Sequence, residues 1–232
     1  MPDDTLAKPV EEIDARLRPT FCMICAGSSR SGKTTYVKQL LADPDLWSNY
    51  PDSVLLCYQS SSPEQYADWT AACDIQLYKG VPTQVPGDGH RLVILDDLTP
   101  DYIDQYLNTL IDLFCVRSSH DRLSCIAVVH NLYYKNLRSL RLSASYLVFF
   151  PSLLDCSHLT RFAHQAFADR PHIFLDTYKQ AMQDRAYAHL MYDANPSTNP
   201  RHRLRSRVTD IPQEVFIPED DETPAPKRRR AT

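Results

Sequence analysis

The segment Gly27-Ser28-Ser29-Arg30-Ser31-Gly32-Lys33-Thr34 constrains this chain more than any other, because it links an apolar run to a helix. Gly27 and Gly32 bracket a turn tight enough for backbone N–H groups to face a polyphosphate. The following helix adds its unpaired N-terminal donors and the positive end of its dipole. In a loop of this kind Lys33 reaches the β- and γ-phosphates and the Thr34 hydroxyl ligates Mg²⁺, with Thr35 next on the same helix. Residues 27–35 are therefore expected to bind a nucleoside triphosphate, with ATP and Mg²⁺ as the ligands.

Five short, β-rich apolar runs punctuate the chain: Phe21–Ala26, Val54–Tyr58, Leu92–Asp96, Cys125–Val129 and Tyr146–Phe150. Helical stretches separate most of them, which predicts an α/β fold with a mostly parallel central sheet and helices on both faces. One helix should run from Lys33 to about Ala42 and stop before Pro44. Another should start at Ser62-Pro63-Glu64-Gln65, where Ser62 caps, Pro63 takes the first helical position and Gln65 completes a capping box. After Thr99-Pro100, the residues Ile103, Tyr106, Leu107, Leu110, Ile111 and Phe114 form one apolar stripe, as expected of a core-facing helix. Helices are also expected through His158–Ala168 and Phe174–Arg185, with a late strand at Ala188–Tyr192. With 232 residues, the chain divides into a loosely packed polar leader (1–19), one nucleotide-binding domain (20–194) and a largely unstructured tail (195–232).

Leu92-Val93-Ile94-Leu95-Asp96-Asp97 is an apolar strand ending in two carboxylates. The first acid of such a strand lies beside the phosphate loop and holds Mg²⁺, and the second orients the attacking water. Asp96 is assigned to the metal and Asp97 to the water, Asp97 being shorter than the Glu many motor ATPases carry. The run Cys125–Val129 ends in His130-Asn131, at the strand edge where open α/β sheets bind ligands. In motor ATPases with an additional strand between the two site elements, a polar residue there senses the γ-phosphate. His130 and Asn131 are the candidates, although the order of strands in space cannot be read from the pattern.

A formal net charge of -4 gives no global basic field, so any contact with DNA must come from local patches or from an oligomeric pore. The seven cysteines are scattered through apolar segments and odd in number, which suits free thiols in a reducing compartment. Cys22-Met23-Ile24-Cys25 has CxxC spacing, but its place in an apolar run argues for a buried strand. No apolar run approaches the ~20 residues that span a bilayer, and the polar N-terminus carries no signal-peptide core, so a soluble intracellular protein is expected.

Three stretches, GSSRSGKTTYVKQLL, LVILDDL and SSHDRLSCIAVVHNLYYKNLRSLRLSASYLVFF, together resemble the FtsK–HerA superfamily of DNA-pumping ATPases. The likeness is strongest to the poxvirus-type packaging ATPases and their relatives in adintoviruses and Polinton-like elements, and it covers roughly residues 21–207. It implies a P-loop NTPase of the additional-strand, RecA-like type, working as a hexameric ring that drives double-stranded DNA into a capsid. Capsid or portal proteins would be its partners. These relatives usually carry Gln where this chain has His130, followed by Asn as at Asn131. Histidine offers the same donor but adds a protonation state. Ring ATPases also complete each site with an arginine from the next subunit. Arg138 matches that position best, with Arg117, Arg122 and Arg141 as alternatives. Tyr133, Tyr134 and Lys135 suit a DNA backbone, a subunit contact or a plain surface turn.

Arg201, Arg203, Arg205 and Arg207 alternate, so an extended segment would place them on one side, for phosphate or for water. After acidic residues 219–222 the chain carries Lys227-Arg228-Arg229-Arg230 beside prolines, which reads as an address for the nuclear import machinery or as a nucleic-acid patch, the preceding acids favouring import. A virus assembling in the host nucleus would need such an address on its motor, which would then be found in nucleus and virion. Two rival readings stand beside the motor. One is a P-loop nucleotide or nucleoside kinase, although no late pair of CxxC units marks a thymidine kinase. The other is a nucleotide-gated assembly factor that does not pump.

Overall fold

Apolar residues run almost unbroken through the expected strands, so each strand must be covered on both faces, as a parallel sheet between two helical layers requires. In a computed structural model, which describes residues 7–9, 14–59, 62–69, 71–152, 156–183, 187–210 and 214–216, that arrangement is present. The strands are β1 (Ala7–Pro9), β2 (Cys22–Ala26), β3 (Ser53–Tyr58), β4 (Ile75–Lys79), β5 (Arg91–Leu98), β6 (Leu123–Val129), β7 (Tyr146–Phe149), β8 (Leu190–Asp193), β9 (Leu204–Ser206) and β10 (Glu214–Phe216). They form one sheet in the order β1-β10-β9-β8-β7-β2-β6-β5-β3-β4. The stretch from β7 to β4 is parallel, and β8, β9, β10 and β1 continue it as antiparallel neighbours.

The helices are α1 (Lys33–Ala42), α2 (Pro100–Gln105), α3 (Leu107–Ile111), α4 (Ser118–His120), α5 (Arg138–Ser143), α6 (Ser157–Phe167) and α7 (Pro171–Ala181). Two apolar clusters lie on the two faces of the sheet. On one, Tyr36, Val37, Leu40 and Leu41 of α1 pack against Met23, Leu56, Ile94 and Ile126. On the other, Ile103, Leu110, Phe114, Phe162 and Phe174 cover Ile24, Leu55, Val93 and Phe149. Cys22 and Cys25 fall in opposite clusters, so their sulfurs face opposite sides of β2 and cannot share a metal. All seven cysteines are free thiols. Among the described residues, no helix is long and apolar enough to cross a membrane.

Several local expectations need correction. The start at Ser62 yields only one 3₁₀ turn, Pro63–Tyr66, with the Ser62 side chain accepting from the Glu64 N–H at 3.4 Å. The apolar stripe after Thr99 does face the core, but its helix is interrupted at Tyr106 (φ −112°, ψ 19°) and passes through a π-helical turn at Asp112–Arg117. The residues just before β2, expected to pack loosely, are held: Leu17 is 1% exposed and its N–H donates to the Leu46 carbonyl at 2.8 Å.

Little fixed structure was expected beyond residue 195, yet β9 and β10 extend the sheet there. The reason is a buried ion pair. Arg205 and Asp193 are 3% and 1% exposed and bond each other, and Arg205 Nη1 also donates to the Ala15 carbonyl at 2.8 Å. Asp193 also accepts from the Asn195 N–H at 2.9 Å and the Thr198 hydroxyl at 2.9 Å. Arg207 pairs with Glu214 at 2.9 Å. Arg203 donates to the Tyr192 hydroxyl at 3.3 Å and the Asn195 carbonyl at 3.4 Å, so three of the four alternating arginines are committed to their own chain and do not form a phosphate-facing row. Lys227–Arg230 and the acidic stretch before them lie outside the described residues.

Candidate active site

Gly27 follows β2 directly, and the phosphate loop crosses the C-terminal edge of the sheet into α1, as open α/β sheets place their ligands. Its two glycines are required for different reasons. A Cβ on Gly27 would lie 2.6 Å from Phe150 Cβ. Gly32, at φ +99°, sits in the left-handed region, and a Cβ there would meet the Tyr187 ring at 2.8 Å. Arg30 also takes a left-handed φ of 60°, which bends the loop between them. Ser28 ties the loop to the end of β7, its hydroxyl donating to the Pro151 carbonyl at 2.8 Å. Ser29, Arg30 and Thr35 are exposed, and the Ser31 hydroxyl is buried with no hydrogen-bond partner among the described residues.

Lys33 is 6% exposed, and its ammonium donates to the Gly27 and Ser28 carbonyls at 2.8 and 2.7 Å. Burial pushes its pKa down, and the carboxylates of Asp97 and Asp96 oppose that. A buried cation of this kind gains from a polyanion brought beside it.

Across the loop, Asp96 is 3% exposed and holds two hydroxyls. Thr34 Oγ1 lies 3.1 Å from Oδ1, and the Tyr66 hydroxyl donates to Oδ2 at 2.9 Å. Hard oxygen donors placed side by side fit Mg²⁺, which takes one or two protein ligands and completes its shell with phosphate and water. Burial raises the Asp96 pKa, only partly offset by the hydroxyl bonds. A carboxyl with a raised folded pKa binds its proton more readily in the folded chain, so stability is lost as pH rises through the window above the ordinary carboxylate value. Asp96→Asn should therefore raise the melting temperature of metal-free protein at pH 7, and the gain should vanish below about pH 4. Thermal melts at the two pH values, with Mg²⁺ chelated, check this.

Asp97 is placed by a β-bulge. Pairing between β5 and β6 slips between Leu95↔Ala127 and Leu98↔Val129, so one extra residue sits in β5. Asp97 takes a left-handed φ of 57°, a region Asp tolerates better than most residues. The bulge swings its side chain toward the end of β6, where His130 Nε2 lies 2.9 Å from Asp97 Oδ1. Both side chains are nearly half exposed, at 43% and 46%, so they line an open site.

Other expected residues are not joined to the loop. Asn131 is exposed, and its Oδ1 accepts from the Tyr133 N–H at 2.8 Å, closing a local turn. The guanidinium groups of Arg141 and Arg161 lie 4.0 and 5.0 Å from the Tyr133 ring centre, and the Tyr133 hydroxyl donates to Gln165 at 2.7 Å. Tyr134 and Asn136 donate to Asp104 at 2.7 and 2.6 Å. Arg117 pairs with Asp121 at 3.1 Å, and Arg122 sits before β6, at the strand end opposite His130. Arg138 stands exposed at the first residue of α5. Sequence reasoning missed Tyr66 and Tyr187, because no spacing rule connects either residue to the loop.

The strand order settles the class. β6 lies between β2, which carries the phosphate loop, and β5, which carries Asp96, while β3 lies outside β5. This is a P-loop NTPase fold of the additional-strand, RecA-like type. No family model matches the chain, and no curated protein sequence matches it. Solved structures do share the fold. The DNA-packaging ATPase B204 from Sulfolobus Turreted Icosahedral Virus superposes with a TM-score of 0.51 at 14% identity, over 82% of this chain and 98% of that one. The genome packaging NTPase B204 from Sulfolobus turreted icosahedral virus 2, in complex with sulfate, gives 0.52 at 13% identity, over 80% and 95%. Likeness at such identities concerns the fold.

Proposed function

We propose that this chain is an ATP-driven motor that moves viral double-stranded DNA into a capsid, acting as a homo-oligomeric ring, a hexamer in the superfamily it resembles. The observation that carries this reading is the His130–Asp97 contact, made at the end of a strand inserted between the two halves of the nucleotide site. In this reading a side chain leaving the end of that strand holds the water-orienting acid and would reach toward the γ-phosphate. The packaging roles of the two B204 proteins that share the fold support the same choice.

In this reading the loop N–H groups and Lys33 bind the triphosphate. Thr34 and Asp96 would hold Mg²⁺, which when bound neutralises charge on the β- and γ-oxygens. Asp97 orients water and takes its proton as the water oxygen bonds to the γ-phosphorus and the bond to the β,γ-bridging oxygen breaks. His130 holds Asp97 in place and senses the γ-phosphate. Arg138 from a neighbouring subunit would supply the last positive charge. Of the arginines considered, Arg117 and Arg141 are engaged within their own chain, and Arg122 lies at the opposite strand end. Capsid or portal proteins are the expected partners, and residues 227–230 are the proposed nuclear address.

Measuring products separates this from a kinase. With ATP and Mg²⁺ alone, inorganic phosphate and ADP should appear in equal amounts, and added nucleosides should not change the rate. ADP formed only with a nucleoside acceptor, which itself becomes phosphorylated, would exclude a motor.

A further inference from the structure

Beside the phosphate loop lies a second hollow that the motif does not explain. It is a cavity of about 120 Å³ between the exposed side of α1, the segment leading into β8 and the segment following β9. Tyr36, Gln39, Tyr187, His189, Arg207 and Thr209 line it. That is roughly ten times the space that seats one water. A separate pocket contains the loop itself, Arg30 through Thr35, and the two share Gly32, Thr35 and Tyr187. Tyr187 is thus the wall between a phosphate site and an adjoining hollow.

Tyr187 is unusual for a surface tyrosine. It is 62% exposed and takes a left-handed φ of 65°, which a bulky residue adopts only when its surroundings impose it. Its ring lies against Gly32, so closely that no side chain fits there. Behind it, the Tyr36 hydroxyl is buried and makes no hydrogen bond among the described residues, and the same holds for the Ser31 hydroxyl on the loop side. The Tyr36 hydroxyl faces the core near Cys25, Arg205 and Tyr146, whereas the Ser31 hydroxyl adjoins Gly32, where a bound phosphate or its ordered water would satisfy it. Most of the cavity's polar lining is held in place, Ser206 and Arg207 by Glu214 at 3.0 and 2.9 Å and His189 by the Val208 N–H at 3.3 Å, so the hollow is a preformed one.

We propose that this cavity takes the nucleoside half of the nucleotide, with the Tyr187 ring as the surface on which the base stacks. The proposal rests on the reading of residues 27–35 as a triphosphate site and adds a separate source of affinity to it. The loop binds phosphate whatever it is attached to, whereas Tyr187 distinguishes a nucleotide from bare polyphosphate. Every base has a π-face, so stacking makes the site a nucleotide site without by itself selecting one base.

Calorimetric titration of the full chain with Mg²⁺ and either a non-hydrolysable ATP analogue or inorganic tripolyphosphate tests this. Wild type should bind the analogue more tightly than tripolyphosphate. Tyr187→Ala should weaken the analogue on the order of tenfold or more and leave tripolyphosphate unchanged, while Tyr187→Phe should behave as wild type. Lys33→Ala should weaken both ligands. Equal weakening of both by Tyr187→Ala would mean that Tyr187 acts on the loop, and would overturn the proposal. So would an unchanged affinity for the analogue, or a wild type that binds the two equally. If wild type binds neither ligand, the triphosphate site falls and the cavity assignment falls with it. Thermal melts confirm that each variant is folded, and Tyr187, being exposed, should not be needed for folding.

Discussion

Turnover of ATP by Lys33→Ala should fall by roughly 10²–10³-fold, the usual cost of losing one preorganised charge at a phosphoryl-transfer site. Lys33 is nearly buried, and its ammonium is held by two loop carbonyls. Alanine therefore removes the charge and also leaves those carbonyls without their donor. The structural cost of two lost hydrogen bonds is only about 1–3 kcal/mol, so the protein should still melt cooperatively while its activity is gone. Steady-state phosphate release beside a thermal melt separates the two effects. Retained turnover would mean that the triphosphate does not sit in this loop.

Asp193→Ala should cost about 3–5 kcal/mol of stability, because it strands the Arg205 guanidinium as an unpaired buried charge. Against a total of about 5–15 kcal/mol for a typical domain, this is a large fraction, and it should lower the melting temperature by roughly 6–20 °C. The loss should be concentrated where Asp193 ends β8 and Arg205 sits in β9. Replacing both partners together, as Asp193→Leu with Arg205→Met, should recover most of the loss, since no charge is then left buried. Denaturant melts of the two variants check both statements.

These two predictions also mark where sequence reasoning succeeds and where it stops. The phosphate loop is legible because its chemistry is contiguous: glycines, lysine and threonine at fixed spacing between a strand and a helix. The place of Asp96 beside Thr34 is legible because an acid ending an apolar strand gains meaning once a phosphate loop is present in the same chain. The bulge at Asp97 is not, since it exists only as a slip between β5 and β6. Its contact with His130 bridges distant segments that no local pattern connects. Arg205 misleads for a related reason. A charged residue among other arginines reads as solvated until its buried partner is known, so the tail seemed unstructured where β9 and β10 complete the sheet. Leu17 hides in the same way, as one apolar residue in a polar leader. Tyr66 and Tyr187 are ordinary surface-loop aromatics in the sequence, and only the fold brings one to Asp96 and the other to Gly32.

The most direct test of the motor reading is the rate of ATP hydrolysis with and without long double-stranded DNA, for wild type and Asp97→Ala. DNA should raise the wild-type rate severalfold and leave Asp97→Ala at background in both conditions. A wild-type rate that DNA does not change would contradict it.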